Sequence, residues 1–261
     1  MSNKLFKLRG VVDKRWVIAL ETGGIILFLL IWQLLSFRFP AAVLPSPGEV
    51  LSSFGELNTQ DFLIENTMYS IKLNYYGYFE AILIAVPLGF LIGLFPFFKH
   101  IASKHVDATR FIPLTAITGL FIAWFGIQDG MKIHFLAFGI IVYLLPVVVQ
   151  RISEVEEVYI QTIHTLGGST LQKIFLVFVP AVLSKLFDDI RVLVAISWTY
   201  IIVAEMINKE HGIGAMIFTA ARQSRLDKVF AILFVIIIVG FLQDKLFKLV
   251  DNMIFRHKYQ K

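Results

Sequence analysis

An all-α membrane protein of about six transmembrane helices is the fold class that this sequence predicts, and three observations predict it. Hydrophobic residues make up 57% of the 261 and charged residues 16%, with a mean hydropathy of +0.74, a balance that excludes an ordinary soluble domain. Apolar windows of about 20 residues, enough to cross a bilayer as a helix, recur along the chain. Between two of them lies one long polar segment, Arg151 to Val179, with Leu166-Gly167-Gly168-Ser169 at its centre.

The windows place spans near Trp16–Phe37, Asn66–Phe97, Thr109–Gly126, Met131–Gln150, Ala181–Ile207 and Lys228–Val250. The first follows Lys4, Lys7, Arg9, Lys14 and Arg15 as a secretion leader would, but its apolar run exceeds the about 7–15 residues of a leader core, so it reads as an anchor. Pro40, Pro45 and Pro47 then punctuate a loop. Within it Ser46-Pro47-Gly48-Glu49 predicts a short surface helix, with Ser46 as cap, Pro47 at the first helical position and Glu49 completing a capping box. The second span is longer than a bilayer requires, so it either tilts or begins as an interfacial helix that turns inward around Gly77. Gly89-x-x-x-Gly93 on the same span permits close helix approach, within the chain or between two copies.

In the polar segment, Val155, Tyr159, Thr162, Ile163 and Leu166 fall on one helical face, with Glu154, Glu156, Glu157 and Gln161 mostly away from it. Gly167 or Gly168 can take the left-handed conformation that ends a helix, and Ser169 with Gln172 makes a capping box that starts another. A short helix, a sharp corner and a second helix follow, held outside the bilayer between spans.

Topology follows from Lys and Arg, which resist translocation. With the amino terminus inside, residues 1–15, 96–110, 151–185 and 245–261 carry 16 of the 24; the segments on the other side carry 6, and Lys72 and Arg191 lie within spans. Both termini and the Gly167 corner are thereby expected in the cytoplasm; Lys209, Arg222 and Arg225 in the outer loop 208–227 run against the bias. The expected organisation is a cytoplasmic tail over 1–15, one transmembrane domain over 16–250 with the polar segment 151–180, and a cytoplasmic tail over 251–261. The net charge of +5 suits anionic lipid headgroups; nucleic acid is not implied.

Charged groups inside spans are costly, about 2.5–3.5 kcal/mol each at a helix centre, so Glu80, Asp188, Asp189, Arg191 and Glu205 need partners or water. Asp188 and Arg191, three residues apart, allow either a local ion pair or a place in a solute path. Glu80 is expected to pair with a neighbouring span. Cysteine is absent and the six His show no paired spacing, so neither metal nor cofactor is expected. No phosphate-cradling glycine loop, helical His-Glu-x-x-His or nucleophile elbow is present, which argues against an enzyme.

In several places the residues resemble the permease subunits of binding-protein-dependent ABC importers, in particular the nitrate, sulfonate and taurine branch. The family's cytoplasmic motif is Glu-Ala-Ala, three residues, Gly, nine residues, then Ile-x-Leu-Pro; Gln161-Thr162-Ile163, Gly167 and Val177-Phe178-Val179-Pro180 keep that spacing. Leu44-Pro45-Ser46-Pro47, Arg110-Phe111-Ile112-Pro113, Trp124-Phe125-Gly126-Ile127, Thr165-Leu166-Gly167, Arg191, Trp198, Val203-Ala204-Glu205-Met206 and Gly212-Ile213-Gly214 look like further pieces of the branch, in its order. The resemblance runs from about Leu44 to Arg256. Departures are Gln161-Thr162-Ile163 for the acidic and two small residues, Leu73 beside Asn74 where the branch often has arginine, and Glu80 in place of a small apolar residue.

The resemblance implies a type I importer permease of MetI-like architecture, in a bacterial inner membrane, with a coupling helix. Gln161, Thr162, Ile163, Thr165, Leu166 and Gly167 would engage an ATPase, and Pro180 would fix where the next helix enters the membrane. Arg191, Trp198, Glu205, Gly212 and Gly214 would belong to the translocation path or gate. Implied partners are two cytoplasmic ATP-binding subunits, which would hold the ATP chemistry, an extracytoplasmic solute-binding protein and a second permease copy. The implied solute is small and polar or anionic: nitrate, a sulfonate, taurine, bicarbonate or a vitamin precursor. The rivals are an ion-driven secondary transporter, which would call for inverted repeats that the sequence does not display, and a non-transporting membrane scaffold.

Overall fold

The computed structural model describes residues 10, 12–255 and 258. Lys4, Lys7, Arg9, Arg256, His257 and Lys261, which entered the charge count and the histidine survey, lie outside the described residues. In chain order the helices are α1 (Lys14–Ser36), α2 (Pro47–Thr59), α3 (Leu63–Leu94), α4 (Pro96–Thr109), a 3₁₀ turn (Leu114–Ile117), α5 (Thr118–Phe125), α6 (Asp129–Ser153), α7 (Glu157–Thr165), α8 (Thr170–Lys173), a π turn (Ile174–Phe178), α9 (Val179–Asn208), α10 (Ile213–Arg222) and α11 (Leu226–Ile254). Among the described residues five helices are long and apolar enough to cross a membrane, and a bent pair makes a sixth crossing if counted as one span.

The chain forms two compact units. The first holds the described residues up to 61 together with 220–231. Here α1 leaves most of its side chains exposed, as a lipid-facing span does, with Trp32 as its buried residue. The Trp32 indole donates to the Pro45 carbonyl at 2.9 Å and packs against Phe28 and Phe230. The capping box of α2 forms as expected: Ser46 N donates to Glu49 at 2.7 Å while Ser46 Oγ accepts from Glu49 N at 3.3 Å, and Pro47 starts the helix. Arg225 reaches Glu56 at 2.9 Å and Lys228 reaches Asp61 at 2.6 Å, tying α2 to the start of α11.

The second unit, residues 62–219 with 232–261, is built on α3, α6 and α9. α3 runs unbroken through Gly77, so the inward turn that the sequence left open there does not occur. A Cβ on Gly77 would meet the Ile133 carbonyl at 2.8 Å, one on Gly89 would meet Val148 at 2.5 Å, and one on Gly93 would meet Ile152 at 2.6 Å. Each glycine thus admits the α6 backbone to close range within the chain. Position numbers on the two helices rise together, so α3 and α6 run parallel. The segment between them must therefore carry the chain back along the unit. It does so as two pieces, Pro96–Thr109 and Leu114–Phe125, bent by 95°. The straight span that the sequence reads over Thr109–Gly126 is accordingly only the second piece of this bent pair, whose first piece, Pro96–Thr109, the sequence reading leaves largely outside the spans. Pro113 lacks the N–H to continue a helix and disfavours a helical conformation before it.

α9 closes the unit against both. Gly139 on α6 lies under the Tyr200 ring, Asn74 Nδ2 donates to Ser197 Oγ at 3.0 Å, and the Tyr78 hydroxyl donates to the Ile190 carbonyl. Buried Leu73, Ala81, Ala85, Phe135, Leu136, Ile140, Leu144, Leu186 and Ile201 fill the space between.

Candidate functional site

Two constructions stand at opposite ends of α9, whose 30 residues span about 45 Å. The first is the corner. α7 ends at Leu166, Gly167 takes φ +75°, and Gly168 N donates to the Ile163 carbonyl at 2.9 Å while Gly167 N donates to that of His164 at 3.0 Å. Those paired bonds are the Schellman arrangement that satisfies the last carbonyls of a helix. Ser169 then caps α8: its N–H donates to Gln172 Oε1 at 2.7 Å and its Oγ accepts from Gln172 N at 3.3 Å. The π turn over 174–178 leads into α9 with Pro180 in the first turn, so the ladder changes register just before the residue that has no N–H to give.

No residue of α7 is buried. Gln161, Thr162, Thr165 and Gly167 are exposed, Ile163 is half-buried, and Leu166 is 81% exposed. Val158, Tyr159, Leu171, Phe175 and Leu176 add further exposed apolar surface. The end of α6, from which the corner departs, is anchored to α9. Arg151, at the end of α6, donates through two nitrogens to Asp189 of α9 at 2.6 and 2.7 Å and through a third to Glu154 at 2.7 Å. The guanidinium holds the Glu154 carboxyl below its ordinary range. A cavity of about 360 Å³, lined by Arg151, Glu154, Tyr159, Pro180 and Lys185 among others, separates α7 from the start of α9.

The second construction is a glycine loop after α9. Glu205, fully buried, accepts from Ser70 Oγ at 2.6 Å with one oxygen and from Gly214 N at 2.8 Å with the other. Ser70 Oγ in turn accepts from Ile213 N at 2.8 Å, and Asn66 Oδ1 accepts from Gly212 N at 2.7 Å. Three successive backbone N–H groups of the loop are thus held by α3 and α9. Gly212 sits at φ +103°, where a Cβ would fall 2.3 Å from the Glu205 carboxyl carbon; at Gly214 it would fall 2.4 Å from the Ile202 carbonyl. The Gly-x-Gly spacing is therefore a steric requirement as well as a conformational one. Beside this loop the Lys132 ammonium, completely buried, donates to the Tyr69 hydroxyl at 2.9 Å, and that hydroxyl donates to Asp129.

The structure brings Glu205, Gly212 and Gly214 together and holds Arg191 and Trp198 apart from them. Arg191 donates to Asp244 of α11, at 2.7 Å through Nη2, and Asp188 is met by Lys258. Trp198 is 4% exposed and its indole donates to Gln243 at 2.8 Å. Glu80 pairs with His134 of α6 at 2.8 Å, as expected of a span-to-span partner. Sequence reasoning missed Asn66, Ser70, Lys132 and Arg151. For the first two a signal existed: Asn66, Ser70 and Asn74 recur every four residues along one face of α3.

Residues 85–256 match the family described as the binding-protein-dependent transport system inner membrane component. The chain belongs to that family. It is a multi-pass inner-membrane protein and the permease subunit of an ABC importer. This permease is 29% identical over 238 residues to a putative aliphatic sulfonates transport permease protein of Bacillus subtilis, covering 88% of this chain and 85% of that one. It is 26% identical over 238 residues to the taurine transport system permease protein of Escherichia coli, covering 87% and 85%. A solved chain of the MetNI methionine ABC transporter, in inward-facing conformations, superposes on the permease with a TM-score of 0.61 at 15% identity, covering 72% of this chain and 95% of that one. The sequence expectation of an all-helical MetI-like fold is thereby met.

Proposed function

We propose that this permease works as one of two copies around a shared pathway, with both termini and the corner in the cytoplasm. ATP hydrolysis takes place on two separate subunits, and a binding protein delivers the solute at the opposite face. The corner carries the reading: α7 presents Gln161, Thr162, Ile163, Thr165 and Leu166 on a helix with no buried residue, ended by a rigid glycine cap at Gly167. Motion passes between subunits only through a stiff shared contact. A capped helix braced by Arg151 and followed by Pro180 supplies one.

At the other end of α9 the Glu205, Gly212 and Gly214 loop is the gate in this reading, beneath the landing surface for the binding protein. Arg191 and Trp198 act on the pathway from behind, by bracing α9 against α11 through Asp244 and Gln243. The solute is small and polar or anionic, of the sulfonate or taurine kind, which the relatives' names support.

The test is a cross-link. The chain contains no cysteine, so Leu166→Cys offers one thiol at the corner. Membranes that hold the co-expressed ATPase should yield a permease–ATPase adduct at this position, and Gly167→Leu should reduce both assembly and solute-stimulated hydrolysis. A thiol at residue 166 that reacts only from the periplasmic side, or Gly167→Leu without effect on either measurement, ends the reading.

A further inference from the structure

Lipid offers neither water nor a hydrogen-bond partner, so ionisable side chains left exposed in mid-span need another surface to face. α3 carries such an edge. Lys72, Tyr76 and Glu80 follow at four-residue spacing and share one side of the helix, with Glu80 near the middle of Leu63–Leu94. Met68, Tyr75 and Phe79 form the more apolar exposed side next to it. Opposite Glu80, His134 Nδ1 of α6 donates to the two carboxylate oxygens at 2.8 and 3.0 Å. The pair stays open, the Glu80 side chain 29% and that of His134 39% exposed. The Phe125 ring lies 4.5 Å from the imidazole, and the Lys72 ammonium stands over the Tyr76 ring at 5.9 Å.

A carboxylate has about four acceptor positions, and one imidazole donor fills part of that capacity. Among the described residues the remainder is turned toward open surface, bordered by an aromatic ring on one side and a lysine two helical turns away on the other. We propose that Glu80 and His134 are a solute-contact site on the translocation pathway, and that the site takes a solute carrying a cationic or N–H-donating nitrogen. A bare oxyanion leaves the Glu80 acceptors unmet and faces its repulsion. A zwitterion places its nitrogen at Glu80 and leaves its acid group in the field of Lys72, about 12 Å further along the helix. The inference rests on the permease lining a solute pathway, as proposed above, and narrows the solute class.

Single cysteines in the assembled, co-purified importer in liposomes test it. Tyr76→Cys is expected to react with small water-soluble methanethiosulfonates, and Phe79→Cys is not. With a trimethylammonium reagent and a sulfonate reagent of similar size, adding Glu80→Gln to Tyr76→Cys should lower the cation-to-anion rate ratio by about fivefold, because one charge about 8 Å away in water speeds the cation and slows the anion by roughly twofold each. Glu80→Asp should preserve the ratio. Equal reaction at positions 76 and 79, or none at 76, overturns the pathway placement. Reaction at 76 with a ratio that Glu80→Gln leaves unchanged overturns the nitrogen preference. ATP hydrolysis by the same complex without substitutions separates the two levels: hydrolysis stimulated by the co-purified binding protein alongside failed labelling defeats this site alone, and failure to assemble with an ATPase defeats the wider reading.

Discussion

Glu205 and Gly214 lie nine residues apart and meet across the turn that ends α9, the glycine N–H donating to the carboxylate at 2.8 Å. The other carboxylate oxygen takes the Ser70 hydroxyl at 2.6 Å. One buried side chain thereby joins α3, α9 and the loop, and the loop can move only if these bonds are exchanged or broken together. Bonds that exchange together suit the gate proposed above, since an alternating-access cycle needs discrete states.

Glu205→Ala is therefore expected to impair both stability and uptake. It strands the Ser70 hydroxyl and the Gly214 N–H, at about 1–3 kcal/mol for each buried group left unpaired. Glu205→Gln retains an oxygen to accept from Gly214 and should keep most of the stability. Thermal unfolding of the detergent-purified complex checks the first point and solute uptake the second. Identical behaviour of the Ala and Gln variants would remove the hydrogen-bonding account.

The two loop glycines should respond differently to a second change. At Gly212 the added methyl group meets the Glu205 carboxyl, whereas at Gly214 it meets the Ile202 carbonyl and the Glu205 Cβ. Truncating Glu205 to Ala takes away the first obstacle and leaves the second in place. Gly212→Ala should thus be partly relieved in a Glu205→Ala background, limited by its φ of +103°, and Gly214→Ala should not. Unfolding temperatures of the two double-mutant cycles decide this; equal relief in both would contradict the steric argument.

Gly89 and Val148 provide a test of which helix the small-residue face serves. A Cβ on Gly89 would stand 2.5 Å from Val148, and overpacking of this kind costs about 1–3 kcal/mol. Gly89→Ala should destabilise the isolated permease, and by less in a Val148→Gly background, which removes both the Cβ and the Cγ1 that the new methyl meets. Destabilisation confined to the assembled complex, with no rescue, would mean that the face meets another copy.

What was legible in the sequence was local. Ser46 with Glu49 and Ser169 with Gln172 form their capping boxes because cap and acceptor are three residues apart and no distant group competes. Gly167 adopts the left-handed cap for the same reason. The bent pair at 96–125 was not legible, since its course is forced by the parallel packing of α3 on α6, a relation between residues some 60 positions apart. The same distance hid the charge partners. Arg191 and Asp188 are neighbours on one helix, yet Arg191 reaches Asp244 and Asp188 is met by Lys258, side chains brought close only by the fold. In the glycine loop after α9 the Gly-x-Gly pattern and Glu205 could be read directly, and Ser70 could have been read from its four-residue spacing with Asn66 and Asn74.

Arg151 ties the end of α6, from which the corner departs, to α9, and its replacement should separate hydrolysis from transport. Its fork grips Asp189 at 2.6 and 2.7 Å and holds Glu154 at 2.7 Å. Arg151→Met keeps the apolar stem and removes both ties, so α7 could still dock while passing less motion to α9. The expected result is uptake falling more than ATP hydrolysis, with Arg151→Lys in between because an ammonium cannot reproduce the two-pronged contact. The pH dependence has a definite sign. The Glu154 carboxyl is lowered from 4.5 by the guanidinium, so its contribution to stability is present above that ordinary value and is lost as pH falls through the lowered one. The stability gap between the parent protein and Arg151→Met should accordingly be open at neutral pH and narrow below about pH 4. A gap that stayed constant into acid would mean that Glu154 takes no part in the tie, and equal losses of uptake and hydrolysis would mean that Arg151 supports folding alone.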